Sequence, residues 1–260
     1  MHDFFIKFLV CFAAGTVAGI GTGLSGLSAA ALISPILITC LGMDPGMSIG
    51  IALASDILAS SVSAHTYAKN GNVDLKKGKI MVIASLIFTV LGSYAGTYIP
   101  HNTMGSFSLI MMTVRGLRFV CKPTMAIKEA DAEPSRWVKV AQSIFCGCII
   151  GFVCGFVGPG GGMLRLWLLT NILGYDLKTA VGTGTFIMVF TAFVGANSHF
   201  MLLETAVDFG ALFWCILFTF IWARISSRFA NKASPVTLNR VTGFALTFLG
   251  ILMFTVKGFI

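Results

Sequence analysis

Apolar runs of membrane-crossing length recur along the whole chain with almost no charge inside them, and this constrains the fold more than any other feature. The stretches "IMVIASLIFTVLGSYAGTYI" (Ile80 to Ile99) and "GFALTFLGILMFTVKGF" (Gly243 to Phe259) are examples. A helix needs about 20 apolar residues to cross a hydrocarbon core about 30 Å thick. Charged residues make up only 11% of the 260, against about 25% in soluble domains, so a soluble globule would lack the polar surface to cover itself. The runs are also too long and too continuous for the alternating strands of a membrane β-barrel. The fold class is therefore an all-α polytopic membrane protein.

Ten apolar segments can be drawn, at 4–21, 27–42, 47–68, 79–99, 103–121, 139–157, 161–174, 178–202, 206–229 and 239–259. The second and seventh are too short to span. Each follows a glycine cluster, "GTGLSG" (Gly21 to Gly26) or "GFVGPGGG" (Gly155 to Gly162). Short, glycine- or proline-interrupted segments at matching places in two halves point to a transport site.

The halves match. An offset of 132 residues pairs Gly19 with Gly151, Gly23 with Gly155, Gly26 with Gly158, Gly42 with Gly174, Asp44 with Asp176 and Gly50 with Gly182. Two more residues of offset pair Val73–Asp74 with Val207–Asp208. The chain divides into an N-terminal repeat (1–121), a central loop (122–138) and a C-terminal repeat (139–260). Five segments per half is an odd number, and if each short hairpin enters and leaves on one side, about three spanning helices remain. Either way the second repeat is expected to be inverted relative to the first.

The net charge of +8 sits between the apolar runs, so it speaks for cytoplasmic loops and not for nucleic acid. The stretches 68–79, 122–139 and 224–240 are rich in Lys and Arg, whereas 42–47, 100–102 and 202–208 contain none. The positive-inside rule then puts the first set in the cytoplasm and both termini outside. The N-terminus reads as a first membrane segment and not as a removed signal peptide. Seven cysteines lie in or beside apolar segments without metal-type clustering and read as small packing residues.

A break in a helix inside hydrocarbon is tolerated only when it is buried in protein or lines a cavity. The residues at the two breaks, Gly23, Ser25, Gly26 and Ser28 in the first and Gly158, Pro159, Gly160, Gly161 and Gly162 in the second, are candidate binding residues. A helix restarting after Gly162 offers free N–H groups and a positive dipole end, which favour an anion. The bland alternative is close helix packing through small residues.

Arg165 follows the second break by one turn. Either it supplies charge and a fork of donors to an anion, or it snorkels to the interface. Asp56, within the third segment, has three readings: a coupling carboxylate for a proton or sodium, a partner for Arg165, or a cap on a broken helix. Thr183 and Asn197 are candidate neutral donors beside Ser55, Ser60, Ser61, Thr185 and Ser198, many of which can instead bond the preceding helical turn. No hydrolase, zinc-protease or nucleotide-loop motif is present in context, so no enzymatic activity, cofactor or metal is expected. Transport would draw on an ion gradient or run downhill.

Two glycine-cluster hairpins, each followed by G-x-D, a polar helix and VD, resemble the TauE/SafE sulfite exporter family, also called toluenesulfonate uptake permeases. The copy "GFVGPGGGMLRLWLLTNILGYDLKTAVGTGT" (Gly155 to Thr185) matches best. The first copy keeps Pro35 but has "LSAA" (Leu27 to Ala30) where the second has "PGGG". The resemblance implies a secondary transporter of small sulfur-containing or organic anions such as sulfite, sulfonate or sulfoacetate in a bacterial inner membrane. The residues alone support an anion-favouring midplane cavity between inverted repeats, worked by alternating access. Its partners would be the anion, the bilayer, a coupling proton or sodium, and in some assemblies a second copy. The rival reading is a membrane-embedded scaffold without flux, which predicts a dry, closed interface around 158–162.

Overall fold

Aspartates and left-handed glycines cut the chain into helices. The computed structural model describes residues 2–96, 117, 136–157, 161–201, 207–234 and scattered positions from 236 to 251. Among these residues eight helices follow in order: α1 (His2–Ser25), α2 (Ala30–Leu41), α3 (Pro45–Lys69), α4 (Leu75–Gly96), α5 (Arg136–Val157), α6 (Gly161–Asn171), α7 (Leu177–Met201) and α8 (Phe209–Lys232). The expected segments 103–121 and 239–259 and most of the central loop lie outside the described residues.

The sequence repeat is also a repeat of local structure. Gly42 and Gly174 both adopt positive φ, at 59° and 67°, just beyond α2 and α6, where glycine alone is unstrained. Asp44 then caps α3 by accepting from the Met47 N–H, with Pro45 in the first turn. Asp176 accepts from the N–H groups of Lys178 and Thr179 at the start of α7. Asp74 and Asp208 do the same for α4 and α8 through Lys77 and Ala211. Helices α3 and α7 both have 25 residues.

The first glycine cluster is more helical than expected. Helix α1 continues through Gly21 and Gly23 to Ser25 and turns at Gly26, whose φ is 65°. The turn closes by a Gly26 N–H bond to the Thr22 carbonyl at 2.9 Å. The reason is packing: Gly15, Gly19 and Gly23 lie one turn apart on the face that meets α8. A Cβ on Gly19 would stand 2.6 Å from the Thr219 carbonyl oxygen. The equivalent face of α5 meets α4, where a Cβ on Gly151 would stand 2.6 Å from Ser85 Cα.

Helix α1 thus lies along α8 and α5 along α4, while α3 packs on α7 at the centre. Exchanging the two halves maps each of these pairs onto its counterpart. The equivalent helices α3 and α7 run antiparallel, because Gly50 meets the Phe200 ring and Gly182 meets Tyr67. Helices α2 and α6 have 12 and 11 residues, about 18 and 16 Å of helix, too short to cross a membrane.

Burial is inverted relative to a soluble protein. Large apolar side chains such as Phe4, Phe5, Ile83, Ile87, Tyr94 and Phe213 face outward, whereas Ser55, Asp56, Ser60, Arg165 and Thr185 are buried. Helices α1, α3, α7 and α8 are long and apolar enough to cross a membrane. The chain is an integral membrane protein. At one end of the bundle Lys7 pairs with Asp208 at 2.6 Å. At the other, Tyr175 donates to Asp74 at 2.7 Å, and Asn72 donates to Asn231 at 2.7 Å.

Candidate functional site

The two hairpins meet. The turn between α1 and α2 (26–29) packs against the first residues of α6, so that a Cβ on Gly162 would stand 3.0 Å from the Ser28 nitrogen and 3.5 Å from the Gly26 carbonyl oxygen. Only glycine allows this approach. It places the starts of α2 and α6, each the positive end of a helix dipole, at one spot in the protein interior.

Arg165 projects from the second turn of α6 into this junction and is 2% exposed. Its Nη2 donates to the Gly26 carbonyl at 2.6 Å and contacts the Met188 sulfur at 2.9 Å. Gly184 makes room for the guanidinium, since a Cβ there would stand 3.1 Å from Nε. The arginine therefore does not snorkel. Among the described residues no carboxylate lies within the 4.0 Å of an ion pair with it. The space beside it, bordered by Ser25, Gly26, Gly162, Val181 and Gly184, has no room for a water molecule. The junction is closed.

Asp56 is fully buried on α3, on the other side of the 26–29 turn. Ser28 Oγ donates to Oδ2 at 2.5 Å and Ser60 Oγ to Oδ1 at 3.2 Å. The Ala29 N–H also acts on the carboxylate. Of its three sequence readings, the cap is what the structure displays: the carboxylate holds the start of α2. It lies near enough to Arg165 for their charges to act on each other, but not in ion-pair contact.

The remaining predicted residues scatter. Gly23 faces α8, and its carbonyl accepts from the Tyr67 hydroxyl at 2.9 Å. Ser25 borders the space but bonds back to the Gly21 carbonyl. Thr183 accepts from the Asp74 N–H, away from Arg165. Asn197 is exposed and bonds back to the Phe193 carbonyl. Gly158, Pro159 and Gly160 lie outside the described residues, and Gly161 opens α6.

Three residues that sequence reading passed over belong to the junction: Met188, Gly184 and Val181. A signal for Met188 existed, because the 132-residue offset makes it the counterpart of Asp56. One half thus offers a carboxylate where the other offers a thioether. Gly184 hid within the small-residue run "GTGT", and Val181 carries no chemical signal at all.

A family model described as sulfite exporter TauE/SafE matches residues 11–253. Several curated proteins are similar over most of their length. A probable membrane transporter protein, ORF9, of Sinorhizobium sp. is 26% identical over 84% of this chain and 81% of its own. The probable membrane transporter protein YunE of Bacillus subtilis is 26% identical over 75% and 78%. The probable membrane transporter protein YfcA of Escherichia coli K12 is 26% identical over 86% and 79%.

Proposed function

The chain belongs to the sulfite exporter TauE/SafE family, and on that premise we propose that it is a secondary transporter of small sulfur-containing or organic anions, such as sulfite, sulfonate or sulfoacetate. The observation that carries the proposal is Arg165: a guanidinium 2% exposed, out of ion-pair contact with any described carboxylate, beside two abutting helix starts. An arginine at the centre of a membrane costs at least about 2.5–3.5 kcal/mol, and that cost is hard to account for by packing alone. A guanidinium fork matches the oxygens of a sulfonate or carboxylate, and the starts of α2 and α6 add the positive ends of two helix dipoles.

The tight packing at the junction fits a closed step in an alternating-access cycle. Antiparallel α3 and α7 support reading the two repeats as inverted in the bilayer, so that rocking one half against the other opens the junction to each side in turn. A scaffold shares the closed interface but gives no reason for a buried arginine without an ion-pair partner, and the transporter names of the relatives favour flux.

Anion flux into proteoliposomes tests this. Labelled sulfite, methanesulfonate or sulfoacetate is expected to enter faster than in protein-free liposomes, and Arg165→Ala is expected to abolish the difference. If all three match protein-free liposomes, transport of this class is refuted.

A further inference from the structure

Asp56 and Arg165 are two buried, opposite charges that bracket the 26–29 turn without touching. The charged or titratable groups acting on Asp56 among the described residues are Arg165 of α6 and the half-buried Cys154 thiol of α5. With both ionised, the junction is neutral overall. Adding a monovalent anion at Arg165 would leave one uncompensated negative charge in a closed, low-dielectric interior, which is strongly unfavourable. A proton on Asp56 removes it. The junction is then neutral both empty (arginine plus, carboxylate minus) and loaded (arginine plus, anion minus, carboxylic acid). We propose that Asp56 takes up one proton for each monovalent anion bound, making the chain a proton–anion symporter; this deepens the transport reading above and rests on it.

The surroundings of Asp56 fit a proton better than a metal cation. Two hydroxyls already donate to its oxygens, and the Ala29 N–H acts on it as well. Hydroxyls can turn their lone pairs toward a cation, but the Ala29 N–H cannot. A proton asks less: it binds one carboxylate oxygen, only the Ser28 hydroxyl turns from donor to acceptor, and the N–H stays as it is.

A row of buried hydroxyls leads toward it. Asp56, Ser60, Ser63 and Tyr67 succeed one another at spacings of four, three and four residues, so they share one face of α3, and all four are fully buried. Thr22, on α1 beside the Gly23 that Tyr67 bonds, is fully buried too. Among the described residues four buried hydroxyls, those of Thr16, Thr22, Ser48 and Ser63, have no hydrogen-bond partner, and two of them, Ser63 and Thr22, lie on or beside this stripe. A buried hydroxyl left unpaired costs about 1–3 kcal/mol and calls for an explanation. Neither hydroxyl is bonded to its neighbours on the stripe, and the only bonded link along it among the described residues is Ser60 to Asp56, so a proton passing along the stripe would need these side chains to rotate into contact. The stripe runs from Asp56 to the Lys-rich end of the bundle, where Asn72, Asp74 and Tyr175 meet.

The test follows proton and anion together. Purified protein is reconstituted with a pH dye inside and given methanesulfonate, whose acid form is too scarce at neutral pH to carry protons through the bilayer. Wild-type uptake is expected to acidify the interior and to rise as the outside pH falls. Asp56→Asn is expected to keep anion-for-anion exchange while losing acidification and roughly tenfold or more of pH-driven accumulation. Exchange by this variant also shows that it folds. Wild-type flux without acidification, or acidification by Asp56→Asn equal to wild type, overturns the inference but not the transport reading. The reverse result, no flux of any anion, refutes the transport reading. Asp56 is then decided by carbodiimide labelling, which modifies protonated carboxyls. Labelling of Asp56 that rises with methanesulfonate supports the coupling, and that falls severalfold in rate in Ser63→Ala supports the route. Labelling indifferent to the anion overturns the coupling.

Discussion

Replacing Gly19 or Gly151 by alanine tests the helix pairing on which the whole arrangement depends, and it does so by the sign of the effect. In the middle of an exposed helix, Gly→Ala stabilises by about 1 kcal/mol, because alanine restricts the unfolded backbone. At these two positions the added Cβ would meet backbone of the partner helix. On Gly19 it would stand 2.6 Å from the Thr219 carbonyl oxygen and 2.9 Å from the Ala223 nitrogen; on Gly151 it would stand 2.6 Å from Ser85 Cα. An ordinary contact begins near 3.4 Å, so each helix pair must separate by most of an ångström. Backbone cannot rotate aside as a side chain can. Overpacking of this kind costs about 1–3 kcal/mol, which more than cancels the propensity gain. At about 2–4 °C per kcal/mol for a chain of this size, thermal unfolding in detergent should fall by several degrees for each variant. Gly195→Ala serves as the comparison, because its nearest neighbour is a mobile Leu53 methyl at 3.2 Å, and it should be neutral or stabilising. If Gly19→Ala or Gly151→Ala raises the melting temperature, the α1–α8 or α4–α5 contact is not as described.

Arg165→Lys keeps the charge but loses the bond from the guanidinium to the Gly26 carbonyl, worth about 1.5–3 kcal/mol for a charged donor; anion uptake should fall about tenfold, and uptake equal to wild type would contradict the fork. Lys7 and two backbone N–H groups hold the Asp208 carboxyl below the usual carboxylate range, although partial burial pushes it up. A depressed carboxyl stabilises fully above its unfolded value near pH 3.9 and loses that contribution as pH falls through its folded value. Asp208→Asn should therefore lower stability at pH 7 by about 0.2–1 kcal/mol and flatten the acid limb of a melting-temperature–pH curve; an unchanged acid limb would count against the pair. Tyr175→Phe removes the hydroxyl bond to Asp74 across the halves and should cost about 1 kcal/mol, read by the same melts.

Much of this protein is legible along the chain because its signals are local. Hydrocarbon demands long apolar helices, so composition alone names a membrane protein. The aspartate caps and the glycines beyond α2 and α6 act within a few residues of their own helix ends, and the 132-residue repeat aligns them. Even so, the glycines of "GTGLSG" were ambiguous, since a helix break and a close helix contact use the same residue. Only the position of α8 shows that Gly19 and Gly23 serve contact and that the break falls at Gly26.

The junction itself belongs to tertiary structure. Whether Arg165 reaches water or the Gly26 carbonyl depends on how α6 is laid against a turn 139 residues away. Asp56 finds Ser28 at a separation of 28 residues, and Met188 joins them only because α7 packs on α3. Hydrophobic periodicity encodes which face of a helix is buried, not what it is buried against. The sequence determined a membrane bundle of two matching halves with polar groups buried inside. Packing alone decided that the two hairpin tips touch and that one positive and one negative charge face each other across that contact.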